Sequence, residues 1–257
     1  LKSKLGNEEL NSIKVFDSIP EKNNFDIIIS TVKLYDFDNF IFEIKKVGIR
    51  NSILLPFQNG IYSEQKIVKD FGNLNAYGAV AQISSFVDKN QQIIHKGILA
   101  SFFVGHMQRK NNKILKSFCK KCESLNINIQ LKENIKEKIW EKFIFLSAYS
   151  GITTLTKKTI GQIFDNRELK EKFTIAMVET YNLAKNFHVN FRSDPVEYWL
   201  EKIKKMPYDM TSSMYIDYKN KKKLELRWLS GFIVKHSSEF KIDCKIHKEI
   251  INGIRVK

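Results

Sequence analysis

The hydrophobic period of this chain changes once, near residue 130, and that change restricts the fold to two dissimilar parts. Residues 11–104 carry short β-prone runs at 12–16, 25–33, 52–57, 75–86, 91–95 and 99–104, set between polar segments and of lengths that suit strands. The 25–33 run is almost continuously apolar before it turns polar, the pattern of a strand covered on both faces in a parallel sheet. Open α/β sheets place ligands beyond the carboxyl ends of such strands. Residues 37–47 then read as a crossover helix, 111–125 as a second helix and 127–131 as a short strand. From residue 135 the repeat is helical, predicting helices over 135–155, 168–187, 195–205 and 222–235 and a last one near Ile246. Asp194 before Pro195 is an N-cap followed by proline at the first helical position. The expected organisation is an α/β domain over residues 1–130 and an all-helical domain over 131–257.

Composition narrows the function classes less sharply. With 43% hydrophobic and 28% charged residues, the chain is unlike a disordered or collagen-like protein. Lys plus Arg outnumber Asp plus Glu by 43 to 28, a net charge of +15 that suits nucleic acid, phosphorylated cofactors or an acidic membrane surface alike. Three cysteines, Cys119, Cys122 and Cys244, are too few for a disulfide scaffold and point to a reducing, cytoplasmic setting. No run approaches the roughly 18 apolar residues of a membrane span, so no membrane partner is expected.

One helix stands apart. After Glu141 and Lys142 come fourteen uncharged residues, 143–156, the length of a domain-core helix. Lys142 stands at its polar end, with Leu146 and Ser150 following on the same face. A lysine so placed either snorkels to water along its stem or, lowered in pKa by partial burial, serves as an acid or oxyanion clamp.

The segments ISTVKLYD (29–36), LPFQNG (55–60), IWEKF (139–143) and TTLT (153–156) are in order and separation similar to those of the ketopantoate reductase family. So are Ser212-Ser213-Met214 with Asp217, Glu225 and Gly231, and the likeness runs through nearly the whole chain. The resemblance implies an N-terminal Rossmann domain, a helical C-terminal domain like that of 6-phosphogluconate dehydrogenase, and an active site between them. It also implies hydride transfer from NADPH to the ketone of a 2-keto acid, 2-dehydropantoate first among them, with no metal and with a homodimer left open. Carried over residue by residue, Lys142 is the catalytic lysine that protonates or stabilises the developing alkoxide. Glu225 holds the substrate hydroxyl and the geometry of the lysine. Ser213, Asn59 and Ser150 are the substrate-side positions, and Lys33, Asn59 and Thr31 the cofactor-side ones. Reduction of a ketone creates negative charge on oxygen, which a positioned ammonium both stabilises and protonates.

The chain departs from that pattern in three ways. None of its eleven glycines has another two positions away, so the G-x-G-x-x-G turn is absent, which reads as a missing beginning of the protein. Leu146 and Ser150 stand where family members acting on ketopantoate carry asparagines. An apolar Leu146 cannot donate a hydrogen bond, a loss of about 1–3 kcal/mol in substrate grip. Lys221-Lys222 replace Gly-Arg, and Arg227 replaces an acidic residue.

Other signals weigh less. Cys119-x-x-Cys122 and Cys244-x-x-His247 have zinc-ligand residue types, but the first pair falls within a probable helix and far from the second. His95 at the end of a strand pair reads as a structural hydrogen-bonding residue. The alternative function class is nucleic-acid binding through the basic 109–121 and 219–223 segments, with Tyr215, Tyr218 and Trp228 for base stacking. A further alternative is a reductase-like protein with altered substrate or no activity.

Overall fold

The computed structural model describes residues 1–20, 25–49, 51–108, 110 and 112–254. Arg109 and Asn111, where the basic segment and the second helix were expected to begin, lie outside them. The chain forms two compact units. One comprises Leu1–Val32, Asp36–Gln58 and Glu64–Ile135, the other Lys33–Tyr35, Asn59–Ser63 and Lys136–Lys257.

In the first unit, β1 (Ile27–Ser30), α1 (Phe37–Lys46) and β2 (Ile53–Pro56) make a parallel pair with a helical crossover, Ile27 lying opposite Ile53 and Ser30 opposite Pro56. Parallel strands cannot be joined by a tight turn, and α1 supplies the crossover while burying Phe37, Ile41 and Ile44 at helical spacing. After α2 (Tyr62–Phe71), β3 (Tyr77–Val87) and β4 (Ile93–His106) pair antiparallel. The helix α3 (Lys113–Ser124) is capped by Asn112, whose side chain accepts from the Leu115 amide at 3.1 Å, and β5 (Ile129–Leu131) then joins β4 in parallel. Leu55, Tyr77, Val104, Leu115 and Ile129 meet in one apolar core.

Two strand expectations need correction. Residues 12–16 form no strand, because no neighbouring strand pairs with them and their side chains are exposed. The 91–95 and 99–104 runs are one strand, β4. Its register jumps from Ala100 opposite Ile83 to His95 opposite Ser85, so Lys96 to Leu99 bulge out, with Gly97 at φ +78°. His95 closes that bulge. Its Nε2 lies 3.0 Å from the Leu99 carbonyl oxygen, which can only accept, and its Nδ1 lies 2.8 Å from Ser3 Oγ.

Gly105, near the end of β4, is required by close approach. A Cβ there would sit 2.1 Å from the Lys132 carbonyl oxygen and 3.0 Å from Ile135 Cβ, and a backbone atom cannot swing aside. Gly105→Ala is expected to lower stability by about 3 kcal/mol, read as a lower urea midpoint.

The second unit is helical. It contains α4 (Ile135–Thr156), α5 (Ile160–Asp165), α6 (Arg167–Asn186), α7 (Pro195–Ile203), α8 (Ser213–Lys219), α9 (Ser230–Glu239) and α10 (Lys245–Gly253). Trp140, Phe143, Ile144, Ala148 and Ile152 of α4 are all buried, as expected of a helix that is apolar around most of its circumference. Asp194 caps α7 by accepting from the Val196 and Glu197 amides at 2.7 and 3.1 Å.

The expected 222–235 helix starts only at Ser230. Lys221 takes a left-handed φ of +55°, and residues 222–225 form no helix, with Leu224, Glu225 and Leu226 buried in succession. Among the described residues, no helix is long and apolar enough to cross a membrane. No group of three or more His, Cys, Asp or Glu is placed there to hold a metal. Burial pushes the Cys119 thiol up to about 11, with the charge of Cys122 adding to the effect, so at neutral pH it is protonated inside α3.

Candidate functional site

The site is built around a length of α4 that is fixed on both sides of its lysine. Glu141 pairs with Lys138 at 2.9 Å, and its carbonyl oxygen accepts from Trp199 Nε1 at 2.6 Å. Phe143 is buried, and Phe145 stacks on Trp199 with ring centroids 4.3 Å apart. Lys142 therefore projects from backbone held by packing on each side, and its half-buried Nζ donates to Asn59 Oδ1 at 2.9 Å. Asn59 reaches that position through the turn after β2, where Gly60 adopts φ +84°, a conformation open to glycine at little cost.

A second pair of contacts fixes the segment after β1. Lys33 Nζ donates to Asp217 Oδ2 of α8 at 2.8 Å, and the Leu34 amide donates to Glu225 Oε1 at 3.0 Å. Burial by itself lowers the Lys33 pKa, but the Asp217 hydrogen bond and the charges of Glu225 and Asp217 outweigh it, and the pKa is raised. Glu225 is buried, pairs with neither Lys221 nor Lys222, and makes no hydrogen bond through Oε2 among the described residues. One oxygen thus sets the orientation of the carboxylate.

Thr31 and Ser213 are exposed. Ser212, not Ser213, caps α8, its Oγ accepting from the Tyr215 amide at 3.1 Å and lying 2.7 Å from Thr153 Oγ1. Ser150 is fully buried and its Oγ has no hydrogen-bond partner among the described residues, while Leu146, one turn before it, is half-exposed.

Residues 1–109 match the family model described as ketopantoate reductase PanE/ApbA, and residues 134–257 match the model of its C-terminal domain. The chain belongs to the ketopantoate reductase family. Its two parts are accordingly the Rossmann-like α/β domain and the helical C-terminal domain of that family, whose members are oxidoreductases. The chain is 22% identical over 241 residues to an uncharacterized oxidoreductase, YkpB, of Bacillus subtilis, covering 93% of this chain and 79% of the relative. It is 25% identical over 234 residues to a 2-dehydropantoate 2-reductase of Archaeoglobus fulgidus, covering 90% and 76%. Among solved structures, a D-mandelate dehydrogenase with NADH and anilino(oxo)acetate superposes with a TM-score of 0.80 at 16% identity, over 90% of this chain and 75% of that one.

In this ketopantoate reductase family member, sequence reasoning gave no role to two residues that shape the site. Asp217 was visible in the matched segments, but its partner is 184 positions away. Gln58 stood only within the matched 55–60 segment. Its Nε2 donates to Ser30 Oγ at 2.8 Å and to the Val32 carbonyl at 3.0 Å, which ties together the carboxyl ends of β1 and β2. A glutamine between the apolar 53–57 run and Asn-Gly was the available signal.

Proposed function

We propose that this protein reduces the ketone of a small 2-keto acid, 2-dehydropantoate being the first candidate, with NADPH as reductant and Lys142 as general acid. The observation that carries this reading is the Lys142 ammonium held at 2.9 Å by Asn59 on a rigid helix, in the same unit as an oriented Glu225. When bound, the nicotinamide supplies the hydride to the carbonyl carbon. The electron pair of the carbonyl π bond moves onto oxygen, and Lys142 Nζ delivers the proton that completes the hydroxyl. Asn59 keeps Nζ from swinging to water. Glu225, with Oε1 occupied by the Leu34 amide, accepts a hydroxyl of substrate or of cofactor ribose through Oε2. Exposed Ser213 is available to a substrate carboxylate, and exposed Thr31 to the cofactor beyond the end of β1. Ser150, fully buried, would contribute only through a bridging water or a local opening. Lys33 is already paired to Asp217, so it offers a ligand a partly neutralised charge.

Leu146 favours a second reading of the substrate. One turn beyond Lys142, it presents half-exposed hydrocarbon rather than an amide, which suits a 2-keto acid with an apolar side chain. NADPH and NADH oxidation should be followed with 2-dehydropantoate, 2-ketoisovalerate and benzoylformate. Turnover of any of the three supports the reductase, and consumption of neither cofactor with all three overturns it. A kcat/KM about tenfold or more higher for the apolar acids than for 2-dehydropantoate selects the second reading. Of the rings a nucleic-acid partner would stack on, Tyr215 carries Lys219 over its face, Tyr218 carries Lys157 and Trp228 carries Arg227.

A further inference from the structure

Beside Glu225, the helical unit carries a cluster of rings and cations that the reduction chemistry does not use. Trp228 is half-buried between Tyr35 and Tyr62, with ring centroids 6.5 and 6.4 Å away and interplanar angles of 57° and 68°. Lys223 Nζ lies 4.5 Å from the centre of the Tyr35 ring, and the Arg227 guanidinium lies 5.7 Å from that of Trp228. Both cations are exposed, and neither forms an ion pair among the described residues. The two acids nearest in sequence are committed elsewhere, Asp217 to Lys33 and Glu225 to the Leu34 amide.

Each ring fixes its cation from one side, which lowers the entropy lost when that cation takes a ligand. Lys223 and Arg227 flank the buried Glu225 in sequence and stand on rings whose centroids are 6.5 Å apart, an arrangement matched by a ligand that joins an anion to a hydroxyl. A phosphorylated ribose has that chemistry: phosphate oxygens take Lys223 and Arg227, and a ribose hydroxyl donates to Glu225.

We infer that Lys223 and Arg227, braced on Tyr35 and Trp228, form a phosphate-binding subsite for a nucleotide. The inference rests on the reading of the protein as a nicotinamide-nucleotide enzyme, and it locates phosphate recognition in the helical unit rather than only at a glycine-rich turn. The subsite contacts the cofactor without taking part in proton transfer.

Trp228 provides a reporter. Its emission should be titrated with NADPH, NADH and inorganic pyrophosphate in the intact chain, with Trp228→Phe identifying its share of the signal against Trp140 and Trp199. Replacing both cations by glutamine should raise the Kd for NADPH about 10- to 100-fold and flatten its salt dependence, whereas Lys223→Arg should keep the affinity. Both positions are exposed, so thermal unfolding should be unchanged. Loss confined to NADPH assigns the subsite to the 2′-phosphate, and equal loss for NADPH and NADH assigns it to the pyrophosphate. A double variant that binds NADPH within about twofold of the parent overturns the subsite and leaves the reductase reading intact. Pyrophosphate binding that is lost in the double variant, in a parent that binds neither nicotinamide nucleotide, would sink the reductase and keep the subsite.

Discussion

Lys142→Ala is expected to lower kcat for 2-keto acid reduction by about 10²–10⁴-fold while the protein remains folded. Removal of a positioned general acid costs about that much, equivalent to roughly 3–5 kcal/mol of transition-state stabilisation. The fold should tolerate the change, because Lys142 is half-buried and its recorded hydrogen bond to Asn59 contributes about 1 kcal/mol, while α4 is held by Trp140, Phe143 and Ile144. Lys142→Arg separates charge from proton donation. A guanidinium stabilises an alkoxide but does not release a proton at neutral pH, so its rate should fall between those of the parent and the alanine variant. Asn59→Ala should act on the same step more weakly, leaving the ammonium in place but no longer oriented. Stopped-flow measurement of NADPH oxidation, with circular dichroism on each variant, checks the series. An alanine variant with parental kcat would remove Lys142 from the chemistry.

The parts of the fold that could be read from the sequence were those in which short-range pattern and tertiary environment agree. The fourteen uncharged residues become the buried body of α4, because burial on several sides leaves little room for polar residues, whereas the apolar 25–33 run becomes β1 with Ile29 45% exposed, so the expected cover on both faces is not found there. Where a long-range contact decides, local pattern misleads. Residues 222–226 look amphipathic, yet Glu225 is drawn into the interior by an amide 191 positions away, and the helix waits until Ser230. The break at Lys96-Gly97 looked like a strand end, and only the pairing of β3 with β4 shows it to be a bulge. The short helix α8 and the amphipathic α2 went unread because a turn signal precedes one and few buried positions mark the other.

The site divides along the same line. Lys142, Asn59 and Glu225 were named from the resemblance, and Lys142 Nζ donates to Asn59 Oδ1. Glu225 fixes Leu34, and Asp217 fixes Lys33, so two acids from one stretch of the helical unit hold consecutive residues after β1. That arrangement has no local signature. It depends on residues near 33 and near 220 meeting in space, which spacing along one chain does not encode.

The acid stability of the fold should depend on one residue of α10. His247 is fully buried, with Nε2 3.0 Å from the Ala176 carbonyl oxygen and 3.0 Å from Thr180 Oγ1, and Nδ1 3.2 Å from Ser230 Oγ. A carbonyl oxygen only accepts, so Nε2 carries the proton and Nδ1 accepts from Ser230; the neutral ring satisfies every partner. A second proton would place an uncompensated charge in the core. Burial accordingly depresses the pKa from 6.5 to about 4, with the Ala176 bond opposing the shift. Because the unfolded chain binds this proton first, the stabilisation is complete above pH 6.5 and is lost as pH falls toward 4, by about 3 kcal/mol at pH 4. Glu179 acts in the opposite sense. It accepts from the Ile246 and His247 amides at 2.8 and 3.0 Å, but burial outweighs those bonds and raises its pKa, so it costs stability as pH rises through the carboxylate range. Comparison of His247→Gln with the parent isolates the imidazole, since Glu179 is common to both. Urea unfolding at pH 7 and pH 4 should show the variant less stable than the parent at pH 7 and the gap narrowing by about 3 kcal/mol at pH 4. A gap that does not change with pH would mean that His247 does not titrate on unfolding.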